Sequence, residues 1–173
     1  MNKRQHKAME LLDRSGARLH ALLARLTLSE DVVGDLMQEL FLRLCRSRGF
    51  EKARDPVAYA YRAAINLAFQ WRRSRRLKFQ SLDEDCLPTE NCPSSLGIMI
   101  REEQLQRVLD ATSQLSRLAR DAVIMHYIEQ EPYEEIGRRL GKKPQHVRSL
   151  CAKALARLRV LLADKNDGLS TKE

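Results

Sequence analysis

Apolar side chains recur at three- and four-residue steps along most of the chain, the pattern of amphipathic helices. Met9, Leu12, Leu19, Leu22, Leu23 and Leu26 share a rough face and predict a helix over about residues 4–26. Two parallel ladders come next: Val32, Leu36, Leu40 and Leu44 beside Val33, Met37, Phe41 and Cys45. Together they form a wide apolar stripe on a helix over about residues 30–46. Ser29 reads as its N-cap, with Glu30 and Asp31 suiting the positive end of the helix dipole. Residues 47–54, SRGFEKAR, break the period and predict a loop. Asp55-Pro56 is an N-cap followed by a proline at the first helical position. It opens a third helix, running to about Arg76, whose buried stripe is Val57, Tyr61, Ala64, Ile65 and Ala68.

The helical period is lost over residues 77–95, LKFQSLDEDCLPTENCPSS, where prolines, small polar residues and an acidic cluster read as a linker, set at 79–95. Helices resume over about Leu96–Thr112 and Arg117–Ile128. Residues 133–159, YEEIGRRLGKKPQHVRSLCAKALARLR, then predict a short helix, a tight turn and a longer basic helix. That is the layout of a helix-turn-helix, whose second helix enters a DNA major groove. Ile136 and Leu140 share one face of the first helix. Gly137 lacks a side chain, which lets the second helix approach closely. Gly141 suits the left-handed conformation that ends a helix, and Pro144 suits the first turn of the next. Val147, Cys151, Ala154, Leu158 and Leu161 form the buried stripe of the second helix. Residues 164–173 are polar and predict a disordered tail. The predicted fold is all-α: two small helical domains, 1–78 and 96–163, on a flexible acidic linker, the second a four-helix region containing the helix-turn-helix.

Composition agrees with a helical protein. The 173 residues hold only 7 glycines and 5 prolines, and hydrophobic residues make up 43%. No apolar run approaches membrane-spanning length, so no membrane insertion is expected. The basic N-terminal segment leads into an amphipathic helix and not into a signal-peptide core, so a cytoplasmic location is expected. The net charge of +8 is unevenly placed. Residues 1–82 carry 17 Lys/Arg against 8 Asp/Glu, residues 83–103 carry 1 against 6, and residues 104–173 carry 13 against 9. Two basic segments thus flank an acidic one, and nucleic acid becomes a partner where such charge maps onto one face.

Four cysteines, Cys45, Cys86, Cys92 and Cys151, lie far apart without metal-ligand spacing. Cys45 and Cys151 fall on apolar helix faces and read as buried thiols. Cys86 and Cys92 fall in the linker, where a redox bridge and two reduced thiols are both open readings. The motifs call for no metal and no cofactor, and no phosphate loop or nucleophile–base spacing suggests an enzyme.

Three surfaces are candidates for chemistry. Gln145, His146, Arg148, Ser149 and Lys153 lie outside the buried stripe of the last helix, with Lys142 and Lys143 in the turn before it. They are side chains able to reach base edges and phosphates, although a helical hairpin with a solvated basic face has the same pattern. On the third helix, Arg62, Asn66, Phe69 or Gln70, and Arg73 share a face and lead into WRRSRR. There Trp71 stands beside Arg72, Arg73, Arg75 and Arg76, suited to stacking on bases and holding a backbone. The same arginines also suit a helix C-terminus, and Trp71 also suits a core. On the second helix, Asp35, Gln38, Glu39 and Leu42 share a face off the apolar stripe, readable as a solvated face or as a docking surface for a basic protein.

In this order and spacing the segments resemble the extracytoplasmic-function sigma factors of bacterial RNA polymerase. The resemblance covers about residues 5–163 and is carried by SEDVVGDLMQELFLRL (29–44), DPVAYAYRAAINLAFQWRRSRR (55–76) and LSRLARDAVIMHYIEQEPYEEIGRRLGKKPQHVRSLCAKALARLR (115–159). It implies a transcription initiation factor that binds core RNA polymerase and directs it to promoters. Asp35, Gln38, Glu39 and Leu42 would bind the polymerase. Arg62, Asn66, Trp71, Arg72 and Arg73, continuing into Arg75 and Arg76, would meet and melt the minus-ten element. The loop from Ser47 to Arg54 would hold a flipped non-template base, with Phe50 stacking on it. Lys142, Lys143, Gln145, His146, Arg148, Ser149 and Lys153 would bind the minus-thirty-five duplex. The acidic linker would thread toward the polymerase's RNA-exit path. An anti-sigma factor is a further partner the family implies, and a monomer is the simplest free state. Gln70 stands where the family usually has Asp, Leu150 where Arg is common, Ala152 where His is common, and Gly137 where Ala is usual. A duplex-binding helix-turn-helix regulator and a sigma-like protein that mainly binds proteins are the rival classes.

Overall fold

The computed structural model describes residues 3–81 and 96–167. Among the described residues there are helices and connecting turns and no strand. The chain divides into two compact units, residues 1–103 and 104–173.

In the first unit, α1 (Lys3–Thr27) buries Ala8, Leu11, Leu19, Leu22, Leu23 and Leu26 against α2 (Val33–Arg46) and α4 (Pro56–Ser81). Met9, expected on that face, stays exposed. The Thr27 hydroxyl ends α1 by donating to the carbonyls of Leu23 (2.9 Å) and Ser29 (3.1 Å). Leu28 then turns the chain in the left-handed conformation, φ 55°, a place where glycine is the easier residue. Ser29 does not cap α2 as expected. The chain makes a further turn, so the helix starts at Val33, with Val32 at the cap position and no side-chain cap bond. Of the two ladders on α2, Leu36, Leu40 and Leu44 are buried together with Val33, whereas Met37, Phe41 and Cys45 are only half-buried. The stripe is wider than its neighbours cover.

The segment 47–54 is not wholly a loop. It contains a one-turn helix, α3 (Arg48–Glu51), capped by Ser47, whose Oγ accepts from the Phe50 amide at 3.1 Å. The cap of α4 forms as its residues dictate: Asp55 Oδ1 accepts from the Ala58 amide at 2.9 Å, one of the first-turn amides that the helix ladder leaves unpaired. α4 packs against α1, α2 and α3, so it buries more than a stripe: Ala58, Ala60, Tyr61, Ala64, Ile65, Leu67, Ala68, Phe69 and Arg72. It continues to Ser81, past the expected end near Arg76 and into the first residues assigned to the linker. Residues 82–95, with Cys86 and Cys92, lie outside the described residues.

The second unit holds the C-terminal part of α5 (Leu96–Thr112), α6 (Arg117–Val123), α7 (Tyr133–Leu140) and α8 (Pro144–Asp167). Ser116 caps α6. The expected helix Arg117–Ile128 is α-helical only to Val123 and then widens into a π-turn over Ile124–Ile128. Its mark is the Glu129 amide donating five residues back, to Ile124 O at 3.2 Å. Gln130, left-handed at φ 57°, closes the turn, and its side-chain amide donates to Tyr127 O at 2.9 Å. Glu131 is buried and forms an ion pair with Arg139 of α7 at 2.8 Å.

Gly141 ends α7 at φ 65°, ψ 37°, as its residue type predicts. Gly137 admits the start of the second helix, as expected, and the turn before it still more closely. A Cβ there would meet the Lys142 carbonyl at 2.6 Å and the Pro144 nitrogen at 3.4 Å, so the glycine makes room for the backbone of the turn. The Lys142 amide donates to Gly137 O at 2.8 Å and closes that turn. Val147, Cys151, Ala154 and Leu158 root α8, while Leu161 is only half-buried. Ala154 joins Ala119 and Val123 in a small core against which Leu115 and Leu150 pack, and this packing accounts for an apolar residue at 150. α8 runs through Asp167, beyond the expected start of the tail; residues 168–173 lie outside the described residues. No helix among the described residues is long and apolar enough to cross a membrane.

Adding a side chain in the turn should be costly. Gly141→Ala is expected to lose about 1–2 kcal/mol by placing a Cβ in the left-handed region. Gly137→Val, which drives carbon into the Lys142 carbonyl, should lose more. Urea denaturation of the full chain, followed by far-ultraviolet circular dichroism, checks both: each variant should show an earlier midpoint.

Candidate nucleic-acid interface

The helix-turn-helix builds its outer face from the side chains that its packing leaves over. Because Val147 and Cys151 point into the core, Gln145, His146, Arg148, Ser149 and Lys153 are all exposed on the first turns of α8. Lys142 and Lys143 are exposed in the turn before it. Arg148 lies over the Tyr133 ring at 5.4 Å. Tyr133 in turn stacks on His126 at 4.2 Å, and His126 Nδ1 is 2.9 Å from the Glu131 carbonyl oxygen. An aromatic column from the π-turn therefore stands beneath the guanidinium of Arg148. The column depends on the π-turn, which no residue pattern announces. Burial pushes the Cys151 thiol up from its ordinary pKa and keeps it protonated, as burial does for Cys45.

On α4 the structure separates the basic set. Arg62, Arg73, Arg75 and Arg76 are exposed, and Asn66 and Trp71 are half-buried. Arg75 lies over the Trp71 ring at 5.3 Å, so part of that π face is already occupied by a cation. Of the pair offered with Arg62, Asn66 and Arg73, Phe69 is buried and Gln70 is exposed.

Two site assignments need correction. Arg72 is 6% exposed and turned into the unit, away from the exposed arginines: its Nη1 donates to the Leu26 carbonyl at 3.3 Å, near the end of α1. The carbonyl end of a helix is where a guanidinium is held well. The signal was present, because Arg72 continues the inward series Tyr61, Ile65, Ala68 at helical spacing. Phe50 is fully buried and offers no stacking platform. The turn of α3 directs its ring inward, 5.8 Å from the Tyr59 ring, with Lys7 Nζ above it at 5.2 Å.

On α2, Asp35, Gln38 and Leu42 are exposed and Glu39 is half-buried, along one face. Arg43 joins this face to α4: its Nε donates to Glu39 Oε1 at 2.7 Å and its Nη1 to Gln70 Oε1 at 2.8 Å. Gln70 thus accepts a charge-assisted hydrogen bond from the Arg43 guanidinium through a neutral amide oxygen. Leu42 and Gln38 also line an apolar groove of about 450 Å³ with Met9, Leu12, Met37 and Phe41. Periodicity alone assigns Met9, Met37 and Phe41 to core-facing stripes; the signal against that is a stripe on α2 wider than α1 and α4 together cover.

The chain matches two family models, Sigma-70 region 2 over residues 11–78 and Sigma-70 region 4 over residues 105–158. It is similar to the RNA polymerase sigma factor CarQ of Myxococcus xanthus, 28% identical over 158 residues covering 90% of this chain and 88% of that one. It is 33% identical over 128 residues to the RNA polymerase sigma-E factor of Streptomyces coelicolor, covering 72% and 68% of the two chains. The ECF RNA polymerase sigma factor SigE of Mycolicibacterium smegmatis is 32% identical over 164 residues, 89% of this chain and 61% of that one. Among solved structures, the sigma factor RpoE from Bartonella quintana, crystallised with the anti-sigma factor NepR, shares the fold. Its TM-score is 0.50 at 22% identity, over 90% of this chain and 96% of that one.

The burial of Arg72 sets it apart from its neighbour. Arg72→Ala should lose about 2 kcal/mol of stability with its buried charged hydrogen bond, whereas exposed Arg73→Ala should stay within about 0.5 kcal/mol of the parent. Paired urea denaturation curves test the contrast.

Proposed function

The chain belongs to the extracytoplasmic-function branch of the sigma-70 family, the sigma factors of bacterial RNA polymerase, and we propose that it reads two promoter elements with two separate basic surfaces. The observation that carries this reading is the α8 face: Gln145, His146, Arg148, Ser149 and Lys153 are exposed together while Val147, Cys151, Ala154 and Leu158 root the helix. This face, with Lys142 and Lys143, binds the minus-thirty-five duplex in its major groove. Amide and guanidinium groups contact base edges, and lysines contact phosphates.

The minus-ten element is bound by the first unit. Arg62, Asn66, Arg73, Arg75 and Arg76 of α4 hold the backbone, and Trp71 supplies a stacking face. The exposed side of the segment 47–54, which includes Arg48 and Lys52, receives an unpaired non-template base. Unstacking a base costs a few kcal/mol, which stacking and pocket contacts offset. Core polymerase docks on Asp35, Gln38, Glu39 and Leu42 and supplies the catalysis. Met9, Met37 and Phe41 extend that docking surface with an apolar groove that suits an aliphatic or aromatic anchor between acidic neighbours. An anti-sigma factor is the regulator this family suggests. Holding both DNA surfaces on one chain makes the second contact intramolecular, so two weak sites act as a tight one.

Run-off transcription with core polymerase from the source bacterium on a genomic promoter library tests the reading. Discrete new transcripts sharing two upstream elements are expected; binding to core with no new transcript would leave the sigma-like, protein-binding class. Asp35→Lys with Glu39→Lys should weaken core affinity by about tenfold or more, the scale of ~1.4 kcal/mol. Undiminished affinity in a core-binding titration would remove the docking assignment.

A further inference from the structure

We propose that Lys7 is a positioning residue for minus-ten base capture, holding the 47–54 segment in its receiving shape before DNA arrives. The inference rests on the reading that this segment takes an unpaired base.

Lys7 sits in the second turn of α1, far in sequence from the segment it touches. Its Nζ donates to the Phe50 carbonyl at 3.1 Å and to the Glu51 carbonyl at 2.9 Å, and stands 5.2 Å from the Phe50 ring centroid. These two carbonyls belong to the end of α3, where short helices leave C=O groups under-satisfied; that of Phe50 also accepts from the Ala53 amide at 3.2 Å, so Lys7 braces the turn that closes α3. One turn earlier, Arg4 Nη1 donates to the Arg46 carbonyl at 3.4 Å, and Arg4 Nε pairs with Glu51 Oε2 at 3.1 Å. The start of α1 therefore grips the segment both where it leaves α2 and where α3 ends.

A second set of contacts holds the segment from below. Ser47 Oγ accepts from the Phe50 amide and lies 2.7 Å from the Tyr59 hydroxyl of α4. The Phe50 ring packs on Tyr59, and a Cβ at Gly49 would come within 3.2 Å of the Tyr59 hydroxyl, so the backbone rests directly on that phenol. A single helical turn has no stability of its own in water, and fixing a residue's backbone costs about 1–2 kcal/mol. Two independent sets of contacts meet that cost in the free protein, so it is not charged against base binding. Phe50, excluded as a stacking platform, becomes the anchor of the segment. Arg48, Gly49, Glu51 and Lys52 are left exposed around it.

Lys7→Met keeps most of the aliphatic stem over Phe50 and removes both hydrogen bonds; Lys7→Arg keeps a cationic donor. Three quantities are measured on the full chain: amide exchange at Lys52 and Ala53, affinity for core polymerase, and the rate of open-complex formation at saturating polymerase on a promoter from the run-off screen. Lys7→Met should exchange about tenfold faster at those amides and open the promoter about tenfold more slowly, with core affinity unchanged. Lys7→Arg should recover most of both losses. Faster exchange with an unchanged opening rate would make the contact structural only and overturn the proposal. Opening and core affinity falling together would overturn it as well, by tracing the loss to the whole unit. A parent protein that binds core and opens no promoter would instead overturn the minus-ten reading on which the role depends.

Discussion

The first unit is organised by the crowding of α4. One helix packs against α1, α2 and α3 and still presents a row of cations. Small residues make this feasible: Ala58, Ala60, Ala64 and Ala68 let neighbouring backbones approach, while Tyr61, Ile65 and Phe69 fill the remaining space. The surface proposed for DNA is thus the part that three packed neighbours leave uncovered. Arg72 shows the consequence at the boundary, since its position along the inward series decides its fate and its charge does not. The guanidinium is accommodated because α1 ends beside it with a carbonyl to offer.

Features written in local chemistry were legible in the sequence. Asp55 before Pro56, Gly141 after Leu140 and Pro144 at the head of α8 each act within a few residues of themselves, and each does what its residue type dictates. The inward stripe of α8 was legible for the same reason, and its outer face came by subtraction. Features that depend on distant partners were not legible. Ser29 looks like a cap until the Thr27 hydroxyl takes its carbonyl and the chain makes another turn. Phe50 looks like an exposed aromatic in a basic loop until Ser47 winds a helical turn and Tyr59 receives the ring. Met37 and Phe41 look like core because periodicity reports which face is apolar and not whether anything covers it.

The two candidate DNA surfaces are supported in different ways. The segment 47–54 is held largely at its backbone carbonyls, which fixes the path of the chain, with the Glu51 side chain adding an ion pair to Arg4. On α8 the backbone is already fixed by the helix, and support goes to a side chain: the Tyr133 ring beneath Arg148. A planar guanidinium on an aromatic face retains its edge donors for a second partner, so the stacking that orients Arg148 does not consume its capacity to bind.

That aromatic support begins in the π-turn at Ile124–Ile128. A π-turn is an α-helix holding one residue more than its hydrogen-bond ladder accommodates. Deleting one residue within Ile124–Ile128 would let the ladder close in ordinary α fashion and rotate the downstream chain by about 100°. His126 would then swing away from Tyr133, and Arg148 would lose its footing although no residue of the recognition helix had changed. For this stretch of chain, the number of residues matters to the footing of Arg148 as much as their identity does.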